Sequence, residues 1–249
     1  MSPSHGALDH VLKVAEVALR SWQPQLTGFL APEERFAIEP VLHQQSDLHW
    51  RSSGGIVPAE RQRLLLAREE LPLADIPMDF ALVELKGNFL FDQAELEDFE
   101  AALLNTNLHP GTWGDVILLG DRGAQLIAAP AGAAALDGRP LQVRTVTVEA
   151  RVVPWEALEY QPRQPRTITT VEASCRLDAV SSAGLGLSRN RMVDAITAGR
   201  VRVNGRTVLR PHTELQVGDV VILRGRGELH LQDRELTRRQ RWRLQLLRR

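Results

Sequence analysis

The stretch from Ser188 to Arg206 leaves the backbone few choices. Ser188 is a good helix N-cap, Met192 and Ile196 recur at helical spacing with Val193 and Ala195 beside them, and Gly199 supplies a left-handed stop. Val201 and Val203 then alternate with Arg200 and Arg202, so the valines face inward and the arginines outward. Asn204-Gly205 is a strong hairpin turn signal. Together with the apolar run around Arg176-Leu177-Asp178-Ala179-Val180, the order is helix, loop, helix, hairpin. One feature runs against local stability: Arg189 and Arg191 fall in the first turn, where the helix dipole disfavours a cation by about 0.3–1 kcal/mol. Two guanidinium groups beside helix N-terminal amides suit a phosphate.

Charge points the same way once the chain is cut near Pro162. Residues 1–162 hold 12 basic and 23 acidic side chains, a net of -11, whereas residues 163–249 hold 18 arginines and eight acids, a net of +10. The whole chain has two lysines, Lys13 and Lys86, so the preference for arginine is general composition. The segregation is the informative part, because a basic unit gains affinity for a polyanion by releasing its counterions.

The remaining sequence divides into further units. Residues 7–20 and 32–44 read as helices, the second opened by Pro32 with Glu33 and Glu34 at the positive end of its dipole. Periodicity leaves the apolar run after Pro58-Ala59-Glu60-Arg61 open between helix and strand. A boundary near Leu71-Pro72-Leu73 closes a mainly helical region, 1–74. From Asp79 the pattern reads strand, acidic helix (92–104), hairpin around Gly120-Asp121-Arg122-Gly123, Ala-rich helix (131–136) and strand (141–148). That is the β-α-β-β-α-β order of ferredoxin-like domains, placed at 75–160. RNA-recognition modules share this fold and stack bases on aromatics of two central strands. The third strand here has none, which makes the domain a scaffold or protein-contact module. Residues 161–171, with Pro162, Pro165 and three threonines, read as a linker. A final hairpin follows, with Trp242, Leu244 and Leu246 at period two and a basic loop over 234–240; a basic amphipathic helix at a membrane surface is the competing reading. The expected class is α+β in three parts: a small N-terminal α/β region, a ferredoxin-like middle domain and a basic C-terminal domain over 172–249.

Other functions find little support. The single Cys175 excludes an internal disulfide and fits a reducing compartment. The longest low-polarity stretch, Leu126 to Leu136, is interrupted by Pro130 and Gly132 and falls short of the roughly 20 apolar residues a membrane span requires. No phosphate-binding loop, nucleophile elbow or zinc-protease motif occurs. His43, Asp47 and His49 match no metal-ligand spacing, and Glu95, Glu97, Asp98 and Glu100 read as a solvated helix face. No catalytic residue, metal or cofactor is expected.

The pattern Arg176-Leu177-Asp178, Ser188-Arg189, Ala195-Ile196, Gly199-Arg200-Val201, Val203-Asn204-Gly205 and Val217-Gly218-Asp219 resembles the S4 RNA-binding domain over about 172–224. The resemblance implies that a basic surface on two helices and a hairpin meets structured RNA through Arg176, Ser188, Arg189, Arg191, Arg200, Arg202, Asn204 and Arg206, with Asp178 structural. Asp194 stands where a basic residue is frequent in that family. Some pseudouridine synthases also carry an Arg-Leu-Asp with a catalytic aspartate, but only 71 residues follow Asp178, too few for that catalytic domain.

Three further motifs, Phe29-Leu30-Ala31-Pro32-Glu33-Glu34-Arg35, Gly54-Gly55 with Ala59-Glu60-Arg61, and Trp113-Gly114-Asp115-Val116, occur in that order ahead of the S4-like segment. That order resembles the YlmH-like proteins, nearest to the cyanobacterial and plastid photosystem II S4 subgroup. The resemblance implies a non-enzymatic protein that binds rRNA or tRNA at the large ribosomal subunit, in the cytoplasm or the plastid stroma, with a link to photosystem II assembly. The alternative is a protein-assembly factor whose acidic 1–162 half meets a protein partner.

Overall fold

The computed structural model describes residues 3–162 and 164–249, and the chain falls into two units, 1–162 and 163–249. The first unit begins with α1 (Pro3–Ser21), β1 (Gln25–Leu26), α2 (Pro32–Leu42), β2 (Leu48–Ser53) and β3 (Arg63–Arg68). Val11, Ala15 and Ala18 place one stripe of α1 inward, and Ile38 and Leu42 do the same for α2. Both stripes bury against Leu64 and Leu66, while Leu65 and Ala67 face the opposite way onto Leu73. The run after Pro58 is therefore a strand buried on both faces, the centre of a sheet in the order β1-β3-β2. Two helices cover a three-stranded sheet, the small α/β region expected at the N-terminus, with helix the larger share.

The same unit continues through β4 (Ala81–Lys86), α3 (Leu96–Leu104), β5 (Trp113–Leu118), β6 (Gly123–Ala128), α4 (Pro130–Leu136), β7 (Pro140–Val143) and β8 (Val146–Val153). All pairings are antiparallel and the order is β5-β6-β4-β8-β7. Its first four strands reproduce the split βαβ order of a ferredoxin-like sheet. The strand expected over 141–148 is two strands, because Arg144 turns the chain at φ 53° and is held by Asp92 at 2.6 Å. Strand β6 is buried along its whole length. One face packs on the helices and the other is covered by the chain itself, where Gln125 donates to the Ala157 carbonyl at 2.7 Å and accepts from the Glu159 amide at 2.8 Å. The sheet has no open stacking platform along β6, in keeping with its lack of aromatics.

A junction ties this sheet to the N-terminal region. Asp115 accepts the Glu60 and Arg61 amides at 2.8 Å each, and the buried Arg61 guanidinium lies 4.4 Å from the Trp113 ring centroid while donating to the Trp113 and Pro110 carbonyls. Gly114 leaves the space that the Phe29 ring fills. Burial pushes the Asp115 carboxyl up to about 6 against the pull of its two amide donors.

The second unit holds β9 (Arg166–Glu172), α5 (Leu177–Leu185), α6 (Arg189–Thr197), β10 (Val201–Val203), β11 (Arg206–Thr207), β12 (Val220–Leu223), β13 (Gly227–Leu236) and β14 (Trp242–Arg248). Most of the segment expected as linker, 161–171, belongs to an edge strand: β9 pairs with β14 over seven positions in a sheet ordered β11-β10-β12-β13-β14-β9. Leu177, Val180, Met192 and Ile196 of the helices bury against Val201, Leu229, Leu231, Leu244 and Leu246 of the sheet. The C-terminal segment is thus a hairpin, as its period of two indicates. Among the described residues no helix is long and apolar enough to cross a membrane.

Candidate nucleic-acid interface

The S4-like segment folds as its local signals dictate. Ser188 caps α6 by accepting the Arg191 amide at 3.4 Å, and Arg200 donates its amide to the Ala195 carbonyl where Gly199, at φ 74°, ends the helix. Asn204 and Gly205 both have positive φ, 51° and 77°, and form the two-residue turn between β10 and β11. The Asn204 side chain is spent on that corner: its amide nitrogen donates to Asp219 at 2.8 Å and its oxygen accepts from the Val220 amide at 2.9 Å. Ser188 and Asn204, both exposed, thus fix the backbone of this surface beside the cations.

Asp178 organises those cations. It sits in the first turn of α5 with its side chain 3% exposed. Arg176, the residue just before that helix, donates to it through Nε and Nη2 at 3.1 Å each, and Arg189, the first residue of α6, donates through Nε at 3.0 Å. One carboxylate therefore links the N-termini of two helices. Burial works to raise its pKa, but the hydrogen bonds from Arg189 and Arg176 and their charges outweigh that and hold it below the ordinary carboxylate value. It also explains half of the apparent conflict in the sequence: Arg189 stands at the positive end of a helix dipole because a buried anion lies against it. Arg191 has no such compensation; it is exposed, with no acidic partner among the described residues.

The amides at the start of α5 are already used, since Leu177 donates to the Thr213 carbonyl and Asp178 to the Pro211 carbonyl. At the start of α5 an anion would therefore be met by guanidinium groups, not by free helix amides. Arg176 and Arg189 keep 42% and 52% of their side chains exposed, so each presents unused donors while its Nε is fixed. Arg206 is exposed on β11, whereas Arg200 and Arg202 are half-buried. The pairing across Asp178 was not visible in the sequence: an aspartate at the head of one helix and an arginine eleven positions later carry no signal of contact until the helices pack. His43, by contrast, lies edge-on to Trp50 at 4.5 Å, and His49 lies 3.9 Å from Glu69.

A helix pair and hairpin carrying an arginine-dominated face define the class: this is an S4-domain protein, and the S4 domain family model matches residues 175–221. Residues 4–71 match the family model for the YlmH N-terminal domain. It is similar over 238 residues to the ribosome-associated protein quality control protein P2 of Bacillus subtilis (strain 168), at 24% identity, covering 95% of this chain and 92% of that one. Among solved structures it is similar to cell division protein ylmH from Streptococcus pneumoniae, at 19% identity and a TM-score of 0.47, covering 63% of this chain and 94% of that one.

Proposed function

We propose that this is a non-enzymatic RNA-binding protein that docks on structured RNA, rRNA or tRNA, at the large ribosomal subunit through the face around Asp178. The observation that carries this is the clamp itself: two half-exposed arginines held by one buried carboxylate, in a unit with 18 arginines and eight acids. Fixing a guanidinium before its ligand arrives reduces the ordering cost of binding. The name of the Bacillus subtilis relative supports a ribosomal setting, which would place this chain in the cytoplasm, or in the stroma of a plastid. The link to photosystem II assembly rests on motif order alone. No chemical step is assigned to Asp178, because a carboxylate covered by two guanidinium groups is a poor base and a poor nucleophile.

The test is binding of bulk tRNA and purified large ribosomal subunits by the parent and by Arg189→Ala/Arg191→Ala. Weaker binding is expected from a variant that still folds but melts lower, because Arg189→Ala takes one donor from the buried Asp178 carboxylate; parental binding by the double variant would mean that the face is elsewhere. A second reading, a protein partner on the acidic half, is favoured by the loop between β4 and α3, where Phe91 is 94% exposed beside the acids of 92–100. Partners that survive ribonuclease treatment would support it, and loss of all partners on treatment would remove it.

A further inference from the structure

The hairpin of β13 and β14 lies beyond the residues that match the S4 domain, and its tip carries a charge pattern that the fold does not use. Residues 234–243 contain five arginines and one acid. The acid, Glu235, is taken by Arg243 at 3.4 Å. Arg234 lies with its guanidinium carbon 5.2 Å from the Trp242 ring centroid and donates to the Leu215 carbonyl. That leaves Arg238, Arg239 and Arg241 exposed, with no acidic partner among the described residues.

The turn that presents them is fixed. Thr237 donates its amide to the Arg241 carbonyl at 2.7 Å and its hydroxyl to the same oxygen at 2.8 Å, and that hydroxyl accepts the Arg241 amide at 3.2 Å; Gln240 adopts φ 55° to close the turn. Beside the turn, a groove of about 520 Å³ is lined by these three arginines, by Val171 and by the Glu235–Arg243 pair, whose carboxylate is engaged by the Arg243 guanidinium. Three like charges held together on a tied turn repel one another, and a polyanion relieves that repulsion. Guanidinium forks match phosphate oxygens in pairs.

We propose that the hairpin tip is a second RNA-backbone site, in which Arg238, Arg239 and Arg241 hold consecutive phosphates along the groove. A membrane surface fits less well. An interfacial anchor leads with aromatic or long aliphatic side chains, whereas Trp242 is half-buried under Arg234 and the foremost residues are charged. The site differs from the face around Asp178 in residues and in strand, so the two proposals fail separately.

The full-length chain is compared with Arg238→Ala/Arg239→Ala/Arg241→Ala, with the corresponding triple lysine variant, and with Arg189→Ala/Arg191→Ala. Each is titrated with bulk tRNA and with large ribosomal subunits across a salt series. Each phosphate contact contributes about -0.9 to the log-log salt slope. Losing two contacts therefore shrinks the affinity ratio between about 50 and 200 mM salt by about 12-fold, and losing three by about 40-fold. The triple alanine variant is expected to show that loss with a parental melting temperature, and the lysine variant to keep most of the parental slope. If the alanine triple keeps parental affinity and slope, the proposal is overturned. It is equally overturned if RNA binding is unchanged while binding to phosphatidylglycerol vesicles disappears, which would assign the hairpin to a membrane. If the alanine triple loses binding and the Arg189/Arg191 variant does not, the face around Asp178 falls and the hairpin stands.

Discussion

Replacing Asp178 by asparagine separates a counter-ion from a positioning role. The change keeps the shape of the side chain and its backbone bond to the Pro211 carbonyl, and removes the charge that holds Arg176 and Arg189. A hydrogen bond to a charged group contributes about 1.5–3 kcal/mol when buried. Here the acceptor is buried but both donors are about half exposed, and exposed pairs contribute only about 0–1 kcal/mol. For the three bonds together we expect a loss of about 2 kcal/mol of stability in the second unit. Because the Asp178 pKa is lowered in the folded chain, its contribution is present above the ordinary carboxylate range and is lost as pH falls through the folded value. Denaturant unfolding at pH 7 and at pH about 3 should therefore show a large difference between parent and variant at pH 7 and a smaller one in acid. For RNA the two roles oppose each other. Removing one negative charge roughly 7 Å from a phosphate favours binding by about 0.6 kcal/mol in water. Releasing two oriented arginines adds an ordering cost of about 0.5–1.5 kcal/mol for each. The second effect is larger, so tRNA binding by Asp178→Asn should weaken by about 1 kcal/mol, or about fivefold. Equal or tighter binding by a folded variant would refute the positioning argument.

Two further outcomes follow from packing and from burial. With its pKa raised to about 6, the Asp115 carboxyl binds a proton more tightly in the folded chain than in the unfolded one, so its contribution is greatest below about pH 4 and is lost as pH rises through about 6; Asp115→Asn should flatten that stretch of a melting-temperature profile between pH 4 and 7. In α5, a methyl group at Gly184 would press into the methyls of Leu229, which is buried and has no room to yield, so Gly184→Ala should destabilise the second unit by about 1–3 kcal/mol, measured by denaturant unfolding.

Much of this architecture could be read from sequence where the controlling interaction is local. Ser188, Gly199 and the Asn204-Gly205 pair each act within a few residues of themselves, and helix, stop and turn fall where they indicate. The YlmH-like motifs were legible as patterns, and the structure supplies their reason: Trp113, Gly114 and Asp115 form one packed junction with Phe29, Glu60 and Arg61. What could not be read depends on partners far along the chain. Residues 166–172 carry the threonines and neighbouring prolines of a linker, and become a strand because β14 arrives to pair with them more than 70 residues later. Arg144 breaks one expected strand into two because Asp92 and Asp98 lie against it across the fold. Within the candidate site, the arginines were identifiable by type and position, but the carboxylate that fixes them was not identifiable as such, since contact between two helix starts is a tertiary event.

The pairing of β9 with β14 also sets an order of events during synthesis. The first strand of the second unit leaves the ribosome well before β14, its neighbour in the sheet, has been made. Until Trp242 to Arg248 emerge, β9 has no partner, and the outer edge of β13 stands open with it. Open edges of this kind are where chains associate wrongly. A nascent chain that stalls before residue 242 would carry a completed acidic unit joined to an unclosed basic one, and the arginine-rich domain closes only once β14 has been made.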